Sequence, residues 1–311
     1  MPETPISDTV LSSTTLAGLS QKDKPWDIHR ANADKVAAYY ANGEFQNYAD
    51  RVYSCSELLD FRSSPAADDG LLDLKLSSAH FCRVRSCPVC QWRRSLMWKS
   101  KAHKIFPQIV AAYPTHRWIF LTLTVRNCLI VDLRSTLDLM HKSFARMTKL
   151  KRFPAVGWLK SVEVTRSKDG TAHPHFHCLL MVTPAYFGNN YIKQLDWVQI
   201  WKKSLRIDYD PILDVRAIKK GSSPEILIPE LLKYCTKEGD LIADKDWLLE
   251  FTRQVHNTRN ISTGGLLKKY LKELEQEPDD LIGESTENTE DTNAHISFQW
   301  QRRDKNYTLV D

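Results

Sequence analysis

The sequence predicts an α+β protein. Its principal domain is an antiparallel split-βαβ sheet, preceded by a small cysteine-rich module. Three observations carry this. Strand-like and helix-like runs follow one another in the order β-α-β-β-α-β-α from Arg117 to Asp240. An Asp169–Gly170 pair divides two of the strand-like runs as a hairpin turn would. Three closely spaced cysteines, Cys82, Cys87 and Cys90, lie ahead of the first of those strands.

In chain order, the opening "MPETPISDTVLSSTTLAGLSQKDK" is polar and Ser/Thr-rich, without the charged start and apolar block of a secretory signal. Residues 1–45 are therefore expected to be a flexible arm of a cytoplasmic protein. No apolar run approaches the ~20 residues of a membrane span. From Leu74 to Val131 there are ten Lys/Arg and no Asp/Glu, although the net charge of the chain is only +5. A cationic block of that length favours a polyanion, because neutralised phosphates release counterions. From Glu273 to Gln301 the balance reverses to nine acids with no Lys/Arg, so residues 273–311 are expected to be an acidic linker and tail. The closing "AHISFQWQRRDKNYTLVD" is partly apolar, and either folds back or stays loose.

Seven cysteines without a secretory signal argue against a disulfide framework. "CRVRSCPVCQWRR" has C-x4-C-x2-C spacing, and its Cys-Pro-x-Cys element turns two thiolates toward one metal. The competing reading is three core thiols. A tetrahedral structural zinc needs a fourth ligand, for which Cys55 is the first candidate and His80 the second. Residues 46–105 are expected to form this zinc-binding basic module. Arg83, Arg85, Arg93, Arg94 and Lys99, interleaved with Trp92 and Trp98, are its candidate DNA contacts. Cys128, Cys178 and Cys235 lack such spacing and read as core or helix residues.

Residues 106–272 are expected to form the principal domain. "RWIFLTLTV" (117–125) reads as a buried strand. Asp132 then heads a helix whose apolar stripe is Leu133, Leu137, Met140, Phe144 and Met147. "GWLKSVEVT" and "HPHFHCLLMV" are strands joined through "RSKDGTA". A helix over "NNYIKQLDWVQIWKKSL", a strand over "ILDVRAIK" and a helix over "PEILIPELLKYCTKEGD" complete the order.

Alternate residues of a strand face one side, so His173, His175 and His177 share a face. Two of these imidazoles with Glu163 from the neighbouring strand would hold a divalent ion and leave positions open for substrate oxygens. Register decides this. A two-residue Asp169–Gly170 turn pairs 168 with 171, an odd sum, and puts Glu163 on the other face. An odd-length loop or a bulge restores it; otherwise His173 is the third ligand. In "PELLKYCTKEGD", Glu230, Tyr234 and Lys237 fall on one helical stripe. Tyr234 is a candidate nucleophile toward a phosphodiester, Lys237 can neutralise phosphate charge, and Glu230 can activate a water or a 3′-hydroxyl.

"FLTLTVRN", "EVTRSKDGTAHPHFHCLL" and "PELLKYCTK" resemble, in order, the three motifs of the HUH endonucleases. More narrowly they resemble the single-tyrosine replication initiators (Rep proteins) of small rolling-circle plasmids, over about Arg51 to Thr236. The "CRVRSCPVCQWRR" block is also similar to that group. The resemblance implies a ferredoxin/RRM-like nuclease sheet that nicks one strand at the double-strand origin. It implies a 5′-phosphotyrosyl link through Tyr234, a 3′-hydroxyl primer, His175 and His177 as metal ligands, and a hydrolytic role for Glu230. Mg²⁺ or Mn²⁺ would serve at the histidines and Zn²⁺ at the cysteines. Partners would be double- and single-stranded origin DNA, and a host helicase and polymerase, since no G-x-x-x-x-G-K-[ST] motif is present. The alternatives are a transposase or relaxase of the same chemistry, and a non-catalytic zinc-stapled regulator.

Overall fold

The computed structural model describes residues 14–41, 43–65, 72–219, 222–232, 236–276, 278, 280–282 and 294–310. After a single turn at Leu16–Leu19, the main elements are α1 (Pro25–Tyr40), α2 (Gln46–Tyr53), β1 (Leu58–Pro65), β2 (Leu72–Ala79) and α3 (Pro88–Ala112). There follow β3 (Arg117–Thr124), α4 (Leu133–Met147), β4 (Ala155–Arg166), β5 (Ala172–Val182), α5 (Gln194–Leu205) and β6 (Leu213–Ala217). The chain continues with α6 (Ile228–Leu231), α7 (Glu238–Ala243), α8 (Lys245–Gln254), β7 (Ile261–Gly265) and α9 (Lys268–Leu271), and closes with β8 (Ala294–Gln301) and β9 (Asn306–Val310). Two compact units result, one of residues 1–94 with 279–311 and one of residues 95–278. None of the described helices is long and apolar enough to cross a membrane.

The first unit corrects one expectation about the chain ends and decides another. The segment expected to be a flexible arm contains α1, which buries Trp26, Ala33, Val36 and Tyr40 at a near-helical repeat. The closing segment, left open between folding back and staying loose, folds back, while most of the acidic stretch expected to be a linker lies outside the described residues. β8 pairs antiparallel with β1, and β9 with β8, giving the sheet order β2-β1-β8-β9. Phe298, Trp300 and Tyr307 are buried, and the Trp300 indole donates to Asp34 at 2.8 Å. Tyr307 donates its hydroxyl to the Ser56 carbonyl at 2.5 Å, beside the cysteine module. Alternation in "ISFQW" and "NYTLV" underlies these strands. The partner of β8, β1, lies more than two hundred residues away in sequence, so local pattern did not place this pair.

The second unit is the expected split βαβ. Its sheet order is β6-β3-β5-β4-β7 and every neighbouring pair is antiparallel. The α4 stripe Leu133, Leu137, Met140, Phe144 and Met147 is buried, and Phe144 meets Trp158 and Phe176 edge-on. By strand alternation that is the face of the even-numbered residues of β4 and β5. The opposite face presents Leu159, Leu179, Met181, Trp118 and Phe120 to a core completed by Phe106, Ile228, Leu231, Leu267 and Leu271. The fifth strand, β7, was not anticipated. It reads "ISTGG", and its glycines are required by packing. A Cβ on Gly264 would stand 2.2 Å from the Trp158 ring, and Gly265 has φ +58° with the Val156 carbonyl 2.2 Å from where its Cβ would be.

A larger difference falls after Ile228. The expected long helix is a four-residue turn, α6, and Lys237 is extended (φ −70°, ψ 141°) at the head of α7. Leu232, at the end of that turn, has already left helical geometry (φ −110°, ψ 31°). Glu230 and Lys237 therefore do not share one helical stripe. Tyr234, with Lys233 and Cys235, lies outside the described residues.

Candidate metal centres and nuclease face

The β4–β5 register settles the question that the turn left open. Glu163 pairs with His175 and Arg166 with Ala172, so paired numbers have an even sum. The loop comprises residues 167–171. It is closed by the Ser167 amide donating to Thr171 O at 2.9 Å and the Gly170 amide donating to Ser167 O at 2.9 Å. Five residues are an odd-length connection, and Gly170 supplies the left-handed conformation it needs (φ +84°). Glu163 consequently faces the same side as His175 and His177.

On that face Glu163 Oε2 lies 2.8 Å from His175 Nε2 and 2.8 Å from His177 Nε2. The three side chains are almost wholly buried, Glu163 at 3 % exposure, His177 at 5 % and His175 at 9 %. Burying a carboxylate between two imidazoles is costly unless a cation or proton compensates it. The donor atoms fit a divalent ion: cis ligands about 2.1 Å from one centre stand about 3.0 Å apart. The other ring nitrogens are held as metal-bound histidines usually are. His175 Nδ1 lies 3.2 Å from the His173 carbonyl, and His177 Nδ1 lies 3.5 Å from Thr122 Oγ1. Each Nε2 is thereby directed at the shared centre.

His173 belongs to the surround rather than to this group of three. Its Nδ1 is 2.6 Å from Asn127 Oδ1, and Asn127 donates its amide to Ser167 Oγ and Thr171 Oγ1 at 2.8 and 3.1 Å. Burial holds the His173 imidazole below its usual pKa, His175 adds to this, and Glu163 opposes it. Asn127 thus ties the end of β3 to the hairpin loop. Sequence reading passed over it, although it closes the "FLTLTVRN" stretch.

Glu230 stands over the same face. Its carboxylate accepts from the Arg216 guanidinium at 2.9 Å. Arg216 also bonds Asp214 at 2.9 Å and lies over the Phe120 ring, 5.1 Å from its centroid. Phe120 in turn stacks on His177 at 5.7 Å. Arg216 was not singled out from "ILDVRAIK". Its position beside a strand-borne aromatic appears only once β6 is paired with β3.

The first unit carries the second group. Cys55, Cys82, Cys87 and Cys90 are buried, with ligand atoms all within 4.8 Å of one another. Cys55 and Cys82 Sγ are each 3.6 Å from Cys90 Sγ, and Cys87 Sγ is 3.7 Å from Cys55 Sγ. Thiolates about 2.3 Å from a tetrahedral zinc stand about 3.8 Å apart, so the set fits. The Cys82 amide donates to Cys55 Sγ at 3.4 Å and the Arg83 amide to Cys90 Sγ at 3.3 Å. Burial, with the neighbouring sulfurs, holds the Cys82 and Cys87 thiols well above their usual range. Hydrogen bonds from Cys55, Cys82 and Cys87 hold Cys90 well below it. Cys55 is the fourth member, whereas the alternative His80 is exposed, with Nδ1 3.3 Å from the Ser54 carbonyl.

The expected DNA-contacting cations divide. Arg93 is 8 % exposed, bonds the Leu281 carbonyl at 2.7 Å and the Ile282 carbonyl, and lies over the Trp26 and Trp92 rings. Arg94 is 6 % exposed and donates to the Arg83 carbonyl at 2.8 Å. Both are bonded inside the unit and have little surface to offer DNA. Arg83 is exposed, while Arg85 and Lys99 are partly exposed.

An antiparallel split-βαβ sheet bearing two histidines and a carboxylate on one face, in a chain with a four-cysteine module, is the class that the motifs resemble. A profile of the replication-protein family matches residues 73–308. The chain is 31 % identical to a protein named "Protein rep" from Bacillus amyloliquefaciens, over 97 % of each chain. It is 36 % identical to "Protein rep" from Lactiplantibacillus plantarum, over 82 % of this chain and 84 % of the other. A "Protein rep" of Streptococcus pneumoniae serotype 2 is 33 % identical over 92 % of each. No solved structure matches. The chain belongs to the replication-protein family, the Rep initiators of rolling-circle plasmids, and its role is in initiating plasmid replication at origin DNA.

Proposed function

We propose that this initiator is an HUH-type nickase and strand transferase acting on one strand of the plasmid origin. The observation that carries the reading is the convergence of Glu163, His175 and His177 on one buried point of the sheet face, in a chain of this family. Such a set would hold Mg²⁺ or Mn²⁺, which when bound polarises a scissile phosphate. Tyr234, four residues after Glu230, is the nucleophile. Its phenolic oxygen loses its proton to solvent and bonds phosphorus, the P–O3′ bond breaks, and the departing 3′ oxygen takes up a proton. The products are a 5′-phosphotyrosyl link and a 3′-hydroxyl that primes synthesis. A phenol with an ordinary pKa of ~10 needs charge stabilisation to attack at neutral pH, and Lys237 would supply it. Glu230, held by Arg216 in this structure, would later activate a water or a 3′-hydroxyl to end the cycle.

The four cysteines would bind Zn²⁺ and so stabilise the first unit. Arg83 and Arg85 in the first unit, and Lys99 in the second, would make phosphate contacts. The protein would work in the cytoplasm with a host helicase and polymerase.

The test is incubation of the protein with a labelled single-stranded origin oligonucleotide and Mn²⁺, followed by denaturing electrophoresis. A covalent adduct is expected, absent from Tyr234→Phe and from the His175→Ala/His177→Ala double variant. An adduct that persists in Tyr234→Phe sinks the assignment.

A further inference from the structure

At the end of the β4–β5 hairpin remote from the metal face lies a second cavity, of about 420 Å³. It is walled by the segment entering β4 and by the loop that leaves β5 for α5. Val182 is five positions along β5 from His177, the nearer histidine, about 17 Å of strand, so the cavity is distinct from the metal centre. A volume of this order suits one small planar ligand.

Its residues are unlike those of an ordinary loop crevice. Tyr186 is the floor: 2 % exposed, it accepts from the Trp197 indole at 3.2 Å and donates to the Ile192 carbonyl at 3.4 Å. Tyr191, 54 % exposed as a residue, has its ring centroid 5.6 Å from that of Tyr186. The Asn189 and Asn190 side chains are exposed and make no hydrogen bond to the described residues. Lys151 and Arg152 form the rim, and Arg152 is 57 % exposed while bonded to Asp196 at 3.1 Å. No acidic residue lines the cavity.

We propose that this cavity binds one nucleotide of single-stranded DNA, in a subsite remote from the metal centre. The proposal rests on the nuclease reading for its choice of DNA as the polymer. An accessible aromatic ring offers a stacking surface, two carboxamides can pair with a base edge, and two cations suit the adjoining phosphates. A strand held at the metal centre and again here would be anchored at two points.

Two measurements test this. In the first, wild-type protein is irradiated with single-stranded oligonucleotides carrying 5-iodouracil at successive positions, and the crosslinked residues are mapped by mass spectrometry. Crosslinks are expected at Tyr191 or Tyr186 for a base several nucleotides from the one nearest the histidines. In the second, the affinity of labelled single strands of increasing length is compared between wild type and Tyr191→Ala/Asn190→Ala. Long strands should lose about tenfold in affinity in the variant, the effect of one lost stacking contact, while strands too short to span the two sites should lose nothing. Absence of crosslinks in 183–192, or equal loss at every length, overturns the subsite. Wild type that crosslinks there yet forms no covalent adduct keeps the subsite and overturns the nuclease reading instead. Should the double variant unfold, the wild-type crosslink map decides alone.

Discussion

Glu163 sits directly opposite His175 across the β4–β5 ladder, and their side chains meet at 2.8 Å with His177 equally close on the other side. The three groups are thus brought together by strand register rather than by long, flexible side chains. A site of this kind is formed before the ion arrives, which limits the reorganisation that binding requires.

Glu163→Gln keeps the size of the side chain and removes its charge. Mn²⁺ affinity measured by titration calorimetry should fall at least about 100-fold, since even the loss of an outer partner costs 10–100-fold. The adduct yield should fall with it, at unchanged melting temperature or above. Undiminished Mn²⁺ binding in this variant would exclude the three-residue centre. Asn127→Ala, which releases His173 and the hairpin loop, should lower the same affinity about tenfold.

The choice between Cys55 and His80 has a direct readout. Purified Cys55→Ser should lose its zinc by elemental analysis and melt early, because metal binding and folding of such a site are one equilibrium. His80→Ala should retain one zinc per chain. The reverse result would overturn the four-cysteine assignment.

Arg93 and Arg83 are neighbours in a basic stretch with different tasks. Arg93→Ala removes a buried guanidinium bonded to two carbonyls, and burial already holds its pKa down at about 10. Chemical denaturation should register about 2–4 kcal/mol of lost stability. Arg83→Ala should cost less stability than Arg93→Ala and reduce the salt slope of DNA binding by about one ion. Equal stability of the two variants would contradict the burial of Arg93.

Lys160, on the face away from the metal centre, is 2 % exposed and donates to His141 Nδ1 at 2.8 Å. Burial lowers Lys160 to about 8 and, with Lys160 itself, His141 to about 4. Each group therefore binds protons more readily unfolded than folded. Stability should rise as pH climbs from about 8 to the ordinary lysine value near ~10.5, and fall as pH drops from about 6.5 toward 4. Lys160→Met should gain up to about 3 kcal/mol at pH 7, and the gain should shrink toward pH 10. A melting curve showing no gain at pH 7 would mean that the contacts with His141 and the Phe176 ring offset the burial of the charge.

What the sequence determined by itself is local. Alternation placed His175 and His177 on one face of a strand, the apolar stripe of Leu133 to Met147 marked a helix, and the spacing of Cys82, Cys87 and Cys90 marked a metal module. These follow from the fixed periods of strand and helix and from the short reach of a metal's ligands. Only the tertiary structure decided the rest. Whether Glu163 joined the histidines depended on one residue of loop length, because a single-step slip turns every side chain to the other face. Which of Cys55 and His80 completed the cysteine group depended on where a segment almost thirty residues earlier came to rest. The burial of Arg93 and the pairing of β8 with β1 depended on contacts across some two hundred residues. Such contacts are selected by shape and burial over the whole fold, and no local period records them.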